Sequence, residues 1–354
     1  MALKVVNGVD IPDYNQLTQA LKTGAFNYTN IPNQYSNNPP TSHRNTQSQS
    51  QPTEKPKKAS SSKFTGPVLL FKPSPFYTQK RLIRIDPNYV NPCVPKSQRS
   101  TFESSFVLTS EEQAILRSKP SMKLYFFSGM TTQSNSDIDV QWPPQLEIRC
   151  NGNVIKNSVK GFKNTVGTDS PADLTPLIHS GSKTNNISML YNGATEGFLT
   201  YLYIVETRKP EDILQTVLKH PHIHKSSTVS EIKKSYQDAD GDDLVIAHSS
   251  LPLKCPLIYK RPNFPSKGIF CQHLQCFDCL SYLQLQATIP SWKCIICSRP
   301  LHLKDLAISD YLMEILQKTS EDVEQVDLKP DGSWEAIHEG DEDTQHKSSN
   351  ENKA

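Results

Sequence analysis

The chain has 354 residues, of which 36% are hydrophobic and 21% are charged, and its formal net charge at pH 7 is +2. This length favours two or three domains, and the hydrophobic share is low for a chain that folds throughout. The small net charge does not favour a nucleic-acid coat or a polybasic membrane anchor. Neither a bilayer-spanning apolar run nor a signal-peptide core is evident, so an intracellular chain is expected.

The N-terminal segment, residues 1–65, is dominated by Asn, Gln, Ser, Thr and Pro and is predicted to be mostly disordered. Residues 14–22 suit one short amphipathic helix, which Gly24 would end. Lys55, Lys57 and Lys58 form a basic cluster, for which a solvated linker is favoured over a nuclear-import patch.

Residues 66–218 are predicted to form a β-rich domain. Apolar residues run together or alternate with charged ones in four strand-like stretches: residues 68–71, 124–127, 146–150 and 199–205. Asn151-Gly152 predicts a hairpin turn. Thr109 and Glu112 have capping-box spacing before a short helix, and residues 210–217 suit another helix.

Residues 219–243 are predicted to be a linker. They include His220, His222 and His224, but no cysteine or carboxylate lies close to these in sequence, so a solvated segment is favoured over a metal site. The acidic residues 238–243 are expected to be flexible.

The cysteines are concentrated in one stretch of the chain. Cys271 and His273 form a C-x-H pair, and Cys294 and Cys297 form a C-x-x-C pair after twenty intervening residues. In an intracellular protein such residues are reduced thiols or metal ligands, and two close pairs supply the four ligands of tetrahedral zinc. Because all four positions are filled by protein, the predicted site is structural rather than catalytic.

A RING domain interleaves two zinc sites, and these four residues match the second. The first would use Cys255, Cys276 and Cys279, but its remaining position is Ile258, which cannot bind a metal. Two interpretations remain. Either hydrogen bonds and packing replace the ion, which is favoured, or a residue such as His248 completes the set.

Three strings resemble the SP-RING of the Siz/PIAS family of SUMO ligases: Leu253-Lys254-Cys255-Pro256-Leu257, Cys271-Gln272-His273-Leu274-Gln275-Cys276-Phe277-Asp278 and Ser291-Trp292-Lys293-Cys294-Ile295-Ile296-Cys297. Residues 306–309, 323–326 and 331–334 are similar to the C-terminal extension of the fungal Siz branch. The β-rich block resembles the PINIT domain at residues 71–77, 144–148 and 161–164. The resemblance covers roughly residues 66–338.

This resemblance implies one zinc ion, bound by Cys271, His273, Cys294 and Cys297. It implies that Leu257, Ile258, Trp292 and Pro300 form a face for the SUMO-conjugating E2 enzyme. The alternative is that these apolar residues form the module's small core. The surface role is favoured for Leu257 and Trp292, and the surface and core interpretations are equally favoured for Ile258. Cys279 departs from the family pattern, in which a small non-ligating residue is more usual.

The predicted fold is multidomain α+β: a β-rich PINIT-like domain, then a small RING-like single-zinc module with an α/β extension. The expected segments are residues 1–65, 66–218, 219–243, 244–303 for the SP-RING, 304–338 for its extension and 339–354 for a disordered acidic tail. Leu244-Val245-Ile246 would either add to the edge of SUMO's sheet or, as is favoured, lead into the SP-RING. The SAP domain that usually begins these proteins is not seen before Tyr14. Either the chain is a shortened form or this member lacks the domain, so direct DNA binding is doubtful.

By this resemblance the chain is a SUMO E3 ligase that binds SUMO and its E2 and acts without a covalent intermediate of its own. In this scheme the SP-RING binds the E2, the extension holds SUMO, and the PINIT domain selects nuclear or chromatin-associated substrates. Location in the nucleus, and also the cytoplasm, is expected, with no membrane partner. The alternatives are a ubiquitin ligase of the RING or U-box type and a zinc-stapled adaptor without ligase activity.

Overall fold

The computed structural model describes residues 70–94, 98–132, 137–156, 158–163, 165–237 and 250–337. Several predicted features lie outside these residues: the disorder of residues 1–65, the helix at residues 14–22, the acidic residues 238–243, the segment Leu244-Val245-Ile246, His248 and the tail at residues 339–354. Within the described residues, no helix is long and apolar enough to cross a membrane.

The N-terminal part is built from antiparallel strands: β1 (Tyr77–Ile83), β2 (Tyr89–Val90), β3 (Arg99–Phe106), β4 (Met122–Met130), β5 (Glu147–Cys150), β6 (Asn153–Val154), β7 (Ala172–Asp173), β8 (Asn185–Asn192) and β9 (Phe198–Thr207). One sheet has the order β1-β9-β4-β7, with β2 also paired to β9. A second sheet has the order β3-β8-β5-β6. The predicted β-rich domain is therefore confirmed.

The two sheets share one hydrophobic core. In β3 the buried residues alternate with exposed ones, so that Phe102 and Phe106 lie on one face. They belong to the same cluster as Phe126 and Leu202 of the other sheet. Of the strand predicted at residues 68–71, residues 68 and 69 lie outside the described residues, and Phe71 forms an isolated bridge with Ile138.

Helix α1 (Ser110–Ser118) starts with the predicted capping box. The Thr109 hydroxyl accepts the Glu112 N–H at 3.2 Å, and the Glu112 carboxylate accepts the Thr109 N–H at 2.8 Å. These contacts satisfy two N–H groups that have no partner inside the helix. Helix α2 (Pro210–Val217) also begins and ends where the sequence predicts.

The described part of the expected linker, residues 219–237, is structured, which corrects the sequence-based interpretation. It contains helix α3 (Lys225–Gln237), whose Ile232 is buried in the C-terminal core. The His222 side chain is only 6% exposed, and its Nδ1 lies 2.7 Å from Asp310. His222 is therefore docked rather than solvated, because a carboxylate distant in sequence supplies its partner, whereas the His224 side chain is 68% exposed.

The C-terminal part contains two small sheets and two helices: β10 (Ser250–Pro252), β11 (Pro265–Gly268), β12 (Phe277–Asp278), α4 (Cys279–Thr288), β13 (Leu306–Ile308), α5 (Asp310–Lys318), β14 (Gln325–Leu328) and β15 (Trp334–Ile337). The sheet orders are β12-β11-β13 and β10-β14-β15. Because β14 of the extension pairs with β10, the extension and the module before it share one core.

Candidate metal centre and its surroundings

The first predicted ligand pair, Cys271 and His273, lies just after β11. The Cys271 N–H donates to the Gly268 carbonyl at 2.9 Å. A Cβ atom on Gly268 would lie 3.0 Å from the Cys271 Sγ and 2.8 Å from the Leu301 Cδ1. The absence of a side chain at Gly268 thus allows the strand to pass close to the thiol.

The second pair, Cys294 and Cys297, lies in a turn closed by backbone hydrogen bonds. The Ser298 N–H donates to the Cys294 carbonyl at 2.8 Å, and the Cys294 N–H donates to the Arg299 carbonyl at 2.8 Å. Cys294 is buried and Cys297 is exposed. The turn therefore presents one thiol from inside the module and one from its surface.

The fold brings these two pairs together. One ligand atom from each of Cys271, His273, Cys294 and Cys297 lies within 4.8 Å of the others. The Sγ atoms of Cys271 and Cys297 are 3.7 Å apart, and the His273 Nε2 is 3.2 Å from the Cys294 Sγ. A Zn–S bond of about 2.3 Å in a tetrahedron separates two sulfurs by about 3.8 Å, so the donor set fits zinc.

Burial affects the protonation of these groups. Burial raises the pKa of the Cys271 thiol to about 12 and also raises the pKa of Cys294, because desolvation disfavours the thiolate. Burial lowers the pKa of His273, which favours the neutral imidazole. Zinc binds thiolates and neutral imidazole, and its positive charge offsets the cost of burying the thiolates.

The His273 ring is oriented by the Gln275 carbonyl, which lies 2.8 Å from Nδ1. Since a carbonyl can only accept a hydrogen bond, Nδ1 carries the proton in this contact. The lone pair is then on Nε2, the nitrogen that faces the cysteine sulfurs. Such a partner for the second ring nitrogen is usual for histidines that bind metals.

The other three cysteines of the module, Cys255, Cys276 and Cys279, are buried and do not join a metal-ligand group within the described residues. The Cys255 Sγ accepts the Asp278 N–H at 3.1 Å. The Asp278 carboxylate in turn accepts the Phe264 N–H at 3.2 Å. Hydrogen bonds and packing thus organise the part of the module where a RING has its first zinc ion.

The apolar residues predicted around the metal differ in exposure. Ile258 is 38% exposed, Leu257 is half-buried and Pro300 is exposed. Trp292 is also half-buried, because its ring stacks on Phe76 of the N-terminal domain, with centroids 6.0 Å apart and an interplanar angle of 26°. Nothing in the sequence around Trp292 indicates this contact with a residue over two hundred positions earlier.

The sequence analysis also missed Tyr259, which is 78% exposed beside Ile258. The signal was present, since Leu257, Ile258 and Tyr259 form a continuous apolar string. The Tyr259 N–H donates to the Cys255 carbonyl at 2.8 Å, which holds the string in a turn.

Hydrogen bonds also join the N-terminal domain and the segment after it to the zinc module and its extension. The Ser170 hydroxyl donates to the Thr288 carbonyl at 3.1 Å. The His220 Nδ1 lies 3.0 Å from the Leu306 carbonyl. Together with the stacked Trp292, these contacts fix the zinc module against the β-rich domain.

The comparisons with known proteins agree with this architecture. Residues 68–206 match the PINIT domain, and residues 251–300 match the MIZ/SP-RING zinc finger. The chain is 39% identical to the E3 SUMO-protein ligase SIZ1 of Saccharomyces cerevisiae over 282 residues, which cover 78% of this chain and 31% of that protein. It is 33% identical to SIZ2 of the same yeast over 341 residues, which cover 95% of this chain and 44% of that protein.

The chain thus spans less than half the length of these two relatives. The crystal structure of S. cerevisiae SIZ2 has a TM-score of 0.67 and 32% identity, covering 75% of this chain and 99% of that chain. That of SIZ1 has a TM-score of 0.61 and 38% identity, covering 80% of this chain and 100% of that chain. Fold and site therefore define a protein with a PINIT domain and an SP-RING zinc finger. The chain belongs to the Siz/PIAS family of E3 SUMO-protein ligases.

Proposed function

We propose that this chain is a SUMO-protein E3 ligase. The observation that carries the proposal is the complete Cys/His ligand group inside the SP-RING match, fixed against a PINIT domain. The curated relatives SIZ1 and SIZ2 are both E3 SUMO-protein ligases. A zinc-stapled module that presents an exposed apolar string is suited to binding another protein.

The ligase is proposed to hold one zinc ion, bound by Cys271, His273, Cys294 and Cys297. All four positions of the tetrahedron are then filled by protein, so the ion is structural and takes no part in the transfer. Its contribution is to hold the two ligand turns together in a module with a small core.

The proposed E2-binding face contains Leu257, Ile258, Trp292 and Pro300, to which the exposed Tyr259 is added. In this arrangement Leu257 and Ile258 come from one turn and Pro300 from the end of the second ligand turn. Trp292 contributes the part of its ring that Phe76 leaves uncovered.

The chemistry would occur on the E2, which carries SUMO as a thioester. The amine of a substrate lysine attacks the thioester carbonyl, the carbon–sulfur bond breaks, and the E2 thiol leaves as the isopeptide bond forms. The ligase itself forms no covalent bond. Its contribution is to hold E2, SUMO and substrate in one geometry, which can lower a barrier by several kcal/mol.

The remaining parts are assigned by family resemblance. The extension at residues 304–338 would hold SUMO. Leu244-Val245-Ile246 would either add to the edge of SUMO's sheet or lead into the SP-RING. The PINIT domain would select nuclear or chromatin-associated substrates, and the nucleus is the proposed location. The predicted boundaries at residues 218, 243 and 303 remain predictions.

A reconstituted conjugation assay tests the proposal. SUMO, its activating enzyme, its E2 and a lysine-bearing acceptor are incubated with the wild-type chain or Trp292→Ala, and ubiquitin with its own E2 runs in parallel. We expect faster SUMO transfer with wild type, loss of the effect in the variant, and unchanged ubiquitin transfer. Acceleration of ubiquitin transfer would indicate a ubiquitin ligase. No acceleration by the zinc-loaded chain on several acceptors would indicate an adaptor.

A further inference from the structure

Lys267 is a buried lysine beside the first ligand turn. It lies in β11, the central strand of its sheet, opposite Ala307 of β13. Its side chain is only 3% exposed. Moving an ammonium group out of water is costly unless new partners replace its hydration. Lys267 therefore needs compensating interactions inside the protein.

Those partners are found on the residues that carry the metal ligands. The Lys267 Nζ donates to the His273 carbonyl at 2.7 Å and to the Cys271 carbonyl at 3.4 Å. The Glu231 carboxylate of α3 is 3.9 Å away, and its side chain is 54% exposed. Because 3.9 Å is too long for a hydrogen bond, the two carbonyls are the main hydrogen-bonding partners of this ammonium.

The charge of the site gives the ammonium a second role. Three thiolates and one neutral imidazole around a divalent zinc ion carry a net formal charge of about −1. A negative charge in a poorly solvated region is stabilised by a nearby cation.

We infer that Lys267 is a positioning residue of the zinc site. Its ammonium holds the turn at residues 271–273 through two backbone carbonyls. Its positive charge balances the net negative charge of the zinc ion together with its three thiolate ligands. This role rests on the zinc-bound form proposed above. Removing groups that orient metal ligands typically weakens metal binding by about 10–100-fold.

The test is the rate at which the zinc-loaded full chain releases zinc to a colorimetric chelator. Lys267→Met keeps much of the side chain's length but removes its charge and its donors. We expect release about tenfold faster or more, with a near-UV circular dichroism spectrum that still shows a folded chain. The matched control is Lys304→Met, an exposed lysine of the same part of the chain, which should release zinc at the wild-type rate.

Two further variants separate charge from hydrogen bonding. Lys267→Arg keeps both and should stay close to wild type, whereas Lys267→Gln keeps a donor without the charge and should release zinc faster. In cobalt-substituted protein, the d–d bands should shift for Lys267→Gln and not for Lys267→Arg. If Lys267→Met does not fold, the comparison of Lys267→Gln with Lys267→Arg tests the inference instead. Equal zinc-release rates and equal cobalt spectra for these two variants would overturn it.

The inference would also be overturned if folded Lys267→Met released zinc at the same rate as the wild-type chain. That result leaves the ligase proposal intact, because it concerns only one residue near a loaded site. A wild-type chain that binds no zinc would contradict the metal site itself, and the role of Lys267 with it.

Discussion

Trp292 stacks on Phe76, so the aromatic residue two positions before Cys294 is held by the β-rich domain. Trp292 also contacts Tyr282 of α4. The two rings are at an angle of 74°, and their centroids are 6.4 Å apart. A residue of the proposed E2-binding face is therefore positioned by both parts of the chain. The PINIT domain would then support E2 binding as well as substrate selection.

Phe76→Ala should weaken E2 binding although Phe76 itself is 9% exposed. Loss of a buried phenylalanine costs roughly 3 kcal/mol of stability, and Trp292 loses the ring that holds it. Calorimetric titration with the E2, together with thermal unfolding, measures both effects. Phe162→Ala, at a phenylalanine that is 51% exposed on the same domain, should change neither. E2 affinity equal to wild type in folded Phe76→Ala would rule out this supporting role.

Replacing a ligand cysteine should differ sharply from replacing a neighbouring buried cysteine. Cys294→Ser is expected to lose zinc, because it removes one of the four ligands. Cys279→Ala, at an equally buried thiol outside the ligand group, should retain it. Native mass spectrometry of the zinc-loaded chains measures the ion count, for which we expect one per wild-type chain. Zinc retained in Cys294→Ser, or two ions in wild type, would contradict the assignment.

The extent to which sequence predicts this protein depends on how local each signal is. The capping box at Thr109 and the hairpin at Asn151-Gly152 were predicted because neighbouring residues determine them. The grouping of Cys271, His273, Cys294 and Cys297 was also expected, since the chemistry of zinc requires close pairs of thiol and imidazole groups. The capping box, the hairpin and each of the two pairs are formed within a few residues of the chain.

The missed features depend on contacts between distant residues. Helix α3 (Lys225–Gln237) is rich in Ser and Thr, which are modest helix formers, and has little apolar periodicity. Packing of Ile232 against Tyr311 and Leu312 of α5 accounts for the helix. The contact between His222 and Asp310 and the stacking of Trp292 on Phe76 likewise join residues that are distant in sequence.

Arg261 should be essential for the stability of the extension. Its guanidinium donates to the carbonyls of Leu316, Thr319 and Val323 at 3.3, 3.3 and 2.8 Å, and so caps the end of α5. Arg261→Gln should cost roughly 2 kcal/mol, since hydrogen bonds to charged groups are stronger than neutral ones. Hydrogen exchange should accelerate in α5 and β14 but not in β3 or β8.

The control for this change is Arg149→Gln, which removes an arginine whose side chain is 48% exposed in the N-terminal domain. Its exchange pattern in the extension should match wild type. Unchanged protection of α5 in Arg261→Gln would show that the cap is dispensable.

Tyr311 should make stability fall as the pH rises from about 10 to 12. Burial raises the pKa of Tyr311 to about 12, whereas an unfolded tyrosine ionises near pH 10. In this range the unfolded chain releases a proton that the folded chain retains, so the free energy of unfolding decreases with pH, by roughly 1–2 kcal/mol. Urea titrations at pH 8 and pH 11.5 measure this change.

Tyr311→Phe removes both the ionisation and the hydrogen bond to the Gly332 carbonyl at 3.1 Å. It should be about 1 kcal/mol less stable than wild type at pH 8, and this gap should close as the pH rises. Tyr259→Phe, at a residue that is 78% exposed, should keep the wild-type pH dependence. A constant gap between wild type and Tyr311→Phe would contradict the prediction.

The most direct test of the ligase proposal is single-turnover discharge of SUMO-charged E2 onto a lysine acceptor, after the activating enzyme has been stopped. The zinc-loaded wild-type chain should accelerate loss of the thioester. Leu257→Ala should lose much of this acceleration, while Val154→Ala, at a valine that is 45% exposed in the N-terminal domain, should retain it. Discharge by wild type at the rate of the E2 alone would contradict the account.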